Sequence, residues 1–141
     1  MRRTFFYLSA ALSLTVLAVL AWGWLTEEDA PSETAGAAIV SVTVPELTGA
    51  ALEGEALFQQ NCAVCHGDNA AGRDGIGPPL VHKIYEPGHH GDGAFYLAAQ
   101  QGVRAHHWPF GNMPPVEDVT QKDIESIIAY VRKLQRANGI N

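Results

Sequence analysis

Between Phe5 and Leu25 the chain carries no charged side chain, with Arg2 and Arg3 before the run and Glu27, Glu28 and Asp29 directly after it. As a helix these 21 residues extend about 32 Å, close to the roughly 30 Å hydrocarbon layer of a bilayer. Phe5, Phe6 and Tyr7 stand at one end and Trp22 and Trp24 at the other, where their rings suit the two headgroup regions. The paired arginines assign the first end to the cytoplasm. The body of the chain is therefore expected on the periplasmic side of the cytoplasmic (inner) membrane, held by a single pass. The alternative is a signal peptide cleaved after Ala21, which exports the chain equally. Either way, residues 1–25 form an N-terminal segment that contributes nothing to a globular core.

Residues 26–47 begin acidic and small, which suits a solvated tether, and then alternate apolar with Ser and Thr from Ile39 to Val44, as a short docking arm would. That leaves residues 48–141 to fold. Fifteen acidic against nine basic residues give the whole chain a net charge of −6. No cluster of Lys or Arg exceeds two, so nucleic acid is excluded as a partner. Within 48–141 the balance is ten acidic to seven basic, so most of the excess acidity sits in the tether.

Three helices are expected. Residues 49–60 follow Thr48 as N-cap, and residues 93–101 run between Asp92 as cap and Gly102 as stop. The third starts at Thr120, with Asp123 three residues on, and repeats Ile124, Ile127, Ile128, Val131 and Leu134 at helical spacing until Asn138 and Gly139. No strand ladder is visible, so the domain reads as all-α with long loops. Three short helices make a thin core, and a domain of this size generally needs a metal, a disulfide or a cofactor to hold it together.

Only two cysteines are available, in Cys62-Ala63-Val64-Cys65-His66. A pair three positions apart cannot frame a disulfide fold. C-x-x-C-H is, however, the attachment pattern of c-type haem: two thiols add across the two porphyrin vinyl groups, and the next histidine ligates the iron. A dithiol redox pair or half of a zinc site remain as alternatives. Met113 is the only methionine besides the initiator. It lies in Gly111-Asn112-Met113-Pro114-Pro115, a stiff non-helical segment where a methionine is poorly placed as filler and well placed as a second axial ligand.

With these residues in view, 49–137 resembles the class I cytochrome c family. That family carries a Gly and an aromatic on the helix before the haem motif, here Gly54 and Phe58, and a partner segment on the last helix, here around Ile127 and Tyr130. Its Gly-Pro-x-Leu loop is matched by Gly77-Pro78-Pro79-Leu80. The resemblance implies three main helices and long loops around one covalent haem, with His66 and Met113 on the iron. It further implies that the Pro78 carbonyl accepts the other ring N–H of His66. Pro87-Gly88-His89-His90-Gly91 and His106-His107-Trp108 depart from the family pattern.

For the remaining residues the simpler readings are preferred. His89 and His90 are expected to be solvated in a Gly-rich loop, and His106 and His107 to pack near the haem rim, without converging on a metal. Trp108 or Arg104 is a candidate donor to a haem propionate. Phe95 and Tyr96 are expected in the core, while Arg132, Lys133 and Arg136 oppose the last helix dipole. The expected function is one-electron transfer between a redox protein donor and acceptor, without catalysis or a small-molecule substrate. Alternatives are a fixed haem subunit of a larger membrane oxidoreductase, and a haem sensor or enzyme with a labile Met113.

Overall fold

The computed structural model describes residues 35–141. The expected membrane anchor and the first part of the linker lie outside the described residues. Among the described residues no helix is long and apolar enough to cross a membrane, and the regular structure is entirely helical. It comprises α1 (Ala50–Asn61), the single turn α2 (Ala63–His66), α3 (Asp92–Gln101) and α4 (Gln121–Ala137), with short 3-10 turns at Asp68–Ala70 and Lys83–Tyr85. Among the described residues, bridge pairing outside the helices is limited to two isolated antiparallel bridges, Arg73 with Gly77 and Val103 with Met113.

α4 begins where its sequence signals place it. The Thr120 hydroxyl accepts from the Asp123 backbone N–H at 3.2 Å, and the Asp123 carboxylate accepts from the Thr120 N–H at 2.9 Å, so two of the helix's orphan donors are satisfied reciprocally. α1 starts differently from expectation. Gly49, rather than Thr48, occupies the cap position, and no side chain caps the helix; the Gly49 carbonyl accepts from the Leu52 and Glu53 N–H groups instead. α3 is likewise capped by Gly91, with Asp92 as its first helical residue.

The core forms where α1 and α4 cross. A Cβ built on Gly54 would fall 1.8 Å from the Ser126 carbonyl oxygen and 3.0 Å from the Ile127 nitrogen, so the two backbones touch and only glycine permits it. The crossing brings the Phe58 and Tyr130 rings to 5.5 Å at 55°. Phe58, Tyr130, Val131 and Leu134 are fully buried there, each stabilising the fold by roughly 1.5–3 kcal/mol. Residues 36–47 lie along this core as an arm. Ile39 and Val40 donate to the Ala71 carbonyl, Thr43 exchanges two hydrogen bonds with the Asn138 side chain at 2.9 Å each, and Val42 and Leu47 pack against the apolar cluster.

Arg132 departs from its expected role. Rather than merely facing the helix dipole, it is buried, 6% exposed, and its guanidinium is held on every side. It donates to Asp92 at 2.8 Å, to the Tyr85 carbonyl at 2.7 Å, to Gln135 at 2.6 Å and to the His90 carbonyl at 2.5 Å, and it stacks over Phe95 at 4.8 Å. Lys133 and Arg136 are at least partly exposed. Arg132 thus ties α4 to α3 and to the loop between the Lys83–Tyr85 turn and α3, a planar donor set that Lys would not reproduce.

Two outcomes test this packing. Gly54→Ala is expected to destabilise the protein by about 3 kcal/mol or more, read from the denaturation midpoint. Gly93→Ala, with nothing within 4 Å of the added carbon, should be neutral or slightly stabilising. Arg132→Met should cost about 2–3 kcal/mol, because the His90 carbonyl loses its donor and the guanidinium network is removed.

Candidate functional site

α1 runs almost directly into α2, so Cys62, Cys65 and His66 follow one another on a helical turn, with the Cys65 and His66 N–H groups both donating to the Cys62 carbonyl at 3.1 and 2.9 Å. The carbonyls of this short helix are satisfied by what comes next: Arg73 donates to the Val64 carbonyl at 2.6 Å and Gly72 to that of His66 at 2.7 Å. His66 is buried, Cys62 is half-buried and Cys65 is exposed.

The loop at Gly77 closes over this turn. A Cβ there would lie 2.4 Å from the Cys65 carbonyl oxygen, so glycine allows the approach that sets the Pro78 carbonyl 2.8 Å from His66 Nδ1. His66 Nδ1–H donates in this bond, which leaves Nε2 as the free base. Burial holds the His66 imidazole below its ordinary pKa, with the Pro78 bond opposing more weakly. The Cys62 thiol is pushed up to about 11, by burial and then by Cys65.

Cys62, Cys65, His66, Pro78 and Met113 all line one cavity of about 590 Å³, within the range of sites that hold cofactors. Its walls are overwhelmingly apolar, with Phe58, Phe95, Leu97, Val103 and Ile128 among them. α3 contributes no fully buried residue although Ala94, Phe95, Leu97 and Ala98 all face this space. Leu97 and Val64 remain 55% and 67% exposed, a placement suited to covering a flat apolar ligand rather than another helix. Tyr96 is half-buried and outside both the core cluster and the cavity lining, contrary to its expected place in the core.

Met113 is placed by its own backbone. Its N–H and carbonyl both pair with Val103, at 2.9 Å each, just beyond the end of α3. The Ala105 N–H donates to the Asn112 side chain at 2.9 Å and Val116 N–H to the Ala99 carbonyl at 2.8 Å. The two prolines after Met113 therefore stiffen a segment that is already pinned on both sides.

Trp108 carries the clearest sign of a missing polar partner. Its indole N–H is buried beside Tyr85 and makes no hydrogen bond of good geometry, while its ring meets His82 edge-on at 5.2 Å and stacks on Phe110 at 5.8 Å. An orphaned donor on the wall of an apolar cavity fits the carboxylate of a haem propionate. Arg104, the other candidate donor, is exposed and does not line the cavity.

The four loop histidines do come together, contrary to expectation. His89 Nε2 lies 3.4 Å from His107 Nε2, and the His107 ring is 5.3 Å from that of His90 and 4.2 Å from that of His106. Desolvation lowers the His107 pKa, and the three neighbouring imidazoles add to it. Among the described residues, the ligand atoms gathered within 4.8 Å of one another are those of His89, His90 and His107, with neither cysteine among them. No local signal announced this meeting, because the pairs are separated by a helix.

The apolar cavity, the two cysteines on one turn and the orphaned indole donor together fit a covalently attached haem. Comparison with curated proteins gave no match. The family model described as Cytochrome c matches residues 51–135, which takes in α1, the C-x-x-C-H turn, the Met113 loop and most of α4. The chain therefore belongs to the cytochrome c family, whose cofactor is covalent haem c, and Cys62 and Cys65 fit the attachment motif for it.

Proposed function

We propose that this protein is a one-electron carrier whose haem iron is ligated by His66 and Met113. The observation that carries the reading is the meeting, on one apolar cavity, of Cys62, Cys65 and His66 from the turn that follows α1 with Met113 from a loop pinned beyond α3. When bound, the haem supplies the Fe(II)/Fe(III) couple. The chain's own residues determine how that couple is used. Pro78 fixes the His66 tautomer, so Nε2 is the donor and its ring does not turn. Met113 offers a thioether, which favours ferrous iron over ferric relative to a second imidazole and so implies a comparatively high potential.

The apolar lining from Phe58, Phe95 and Ile128 keeps water away and limits the charge reorganisation that accompanies each electron. Trp108, with Tyr85 beside it, presents donors for a propionate. With His66 and Met113 both held by the iron, no site would be left for oxygen or a substrate, which supports a carrier rather than an enzyme. The uncharged run Phe5–Leu25, with arginines on one side and acids on the other, supports a membrane-anchored carrier with its haem domain on the periplasmic side. There it would serve a redox protein donor and acceptor.

Met113→Ala is expected to abolish the methionine-to-ferric charge-transfer absorption and to lower the reduction potential. It should also open the ferrous protein to carbon monoxide, which the unaltered protein should resist at neutral pH. An unchanged spectrum in the variant, or rapid carbon monoxide binding by the unaltered protein, would contradict the ligand assignment.

A further inference from the structure

The two histidine pairs belong to different loops. His89 and His90 sit on a turn that closes on the Glu86 carbonyl, which accepts from both of their N–H groups at 3.0 and 2.8 Å. His107 comes from the segment after α3, eighteen positions on from His89. Their convergence is a product of the fold.

His90 is the most constrained of the three. Its ring Nδ1–H donates to the Ile84 carbonyl at 2.6 Å, which leaves Nε2 as the free lone pair, and its own carbonyl is held by the buried Arg132. This is the arrangement that orients histidines as metal ligands: one ring nitrogen tied to a backbone carbonyl, the other free. His106 is tied similarly, Nδ1 to the Arg104 carbonyl at 2.8 Å, and its ring lies against His107.

His89 Nε2 and His107 Nε2 are 3.4 Å apart. This separation is longer than a good hydrogen bond between nitrogens. Two imidazole nitrogens each about 2.0–2.1 Å from a tetrahedral zinc ion are separated by about 3.3–3.4 Å, whereas neighbouring ligands in a square-planar copper site are only about 2.8–2.9 Å apart. The His89–His107 separation is close to the tetrahedral value, and the three ligand atoms as a set lie within 4.8 Å of one another.

From this geometry we propose that His89, His90 and His107 form a zinc site on the rim of the haem cavity, with the fourth tetrahedral position open to solvent. All three ligand atoms already lie within 4.8 Å of one another. His89 and His107 are exposed, so their side chains are free to turn toward a shared ion. The site is distinct from the haem's own ligands, since His89 does not line the cavity. It is next to the haem all the same, because His90 and His107 do. The proposal does not depend on whether Met113 is the axial ligand.

The test is calorimetric titration of the full-length, haem-loaded protein in detergent with zinc chloride, in a buffer that does not chelate. One saturable zinc per chain is expected, and zinc-edge absorption should show three imidazole nitrogens. His89→Ala and His107→Ala should each weaken binding at least tenfold. His89→Ala should leave the haem absorption spectrum unchanged, which reports an intact fold, and His89→Gln provides a second variant should the first fold poorly. Absence of saturable binding, as would follow if haem carboxylates engage these imidazoles, overturns the proposal. So does a zinc affinity that survives unchanged in both His89→Ala and His107→Ala.

Discussion

The contact between Gly54 and the Ser126 carbonyl governs the rest of the architecture. Because nothing larger than hydrogen stands at Gly54, α1 and α4 cross with their backbones touching, and Phe58 and Tyr130 fill the space beside the crossing. The orientation of α1 in turn fixes where Asn61 ends and the Cys62–His66 turn begins. The haem attachment residues are thus positioned by helix packing, one turn removed from the best-buried part of the molecule. A functional site that must hold iron at a defined distance is better built on such a crossing than on a loop.

Around that crossing, the apolar side chains divide into two groups. Tyr130, Val131 and Leu134 face protein and are fully buried; Leu97, Phe95 and Val103 face the cavity. The second group explains how a domain of modest size manages with three main helices. Much of its apolar surface is directed at a covalent cofactor, which takes the place that a fourth helix or a disulfide would occupy in another small domain. α3 illustrates this most clearly, having no fully buried residue while its apolar face lines the site. Its position against α4 rests instead on the polar hub of Arg132, which binds Asp92 at the start of α3 and the carbonyls of the preceding loop.

The parts of the molecule that were legible in the sequence are those whose cause is local. The capping box at Thr120 and Asp123, the apolar stripe of α4 and the C-x-x-C-H spacing each lie within a few turns of chain. The bond from His66 to Pro78 was legible through resemblance, since it spans a short loop whose Gly-Pro pattern is distinctive. What escaped depends on long-range convergence. Arg132 resembles any basic residue near a helix end, and only the fold brings Tyr85, His90 and Asp92 around it. Asp92 looked like a cap because caps and buried-arginine partners use the same residue type. The histidine pairs could not be joined by inspection, because their meeting requires α3 to fold back between them.

The central claim is that Met113 closes the haem cavity by ligating the iron, and its methyl group is the most direct reporter. The chain has two methionines, one of them the initiator, so labelling methionine methyls with carbon-13 gives a spectrum with little ambiguity. In the reduced, full-length protein in detergent, a thioether on the iron places the Met113 methyl over the porphyrin face, where the ring current displaces its resonance far upfield. One strongly displaced methyl signal and one ordinary signal from Met1 are the predicted result. Methionine methyl signals found only at ordinary positions would contradict the account.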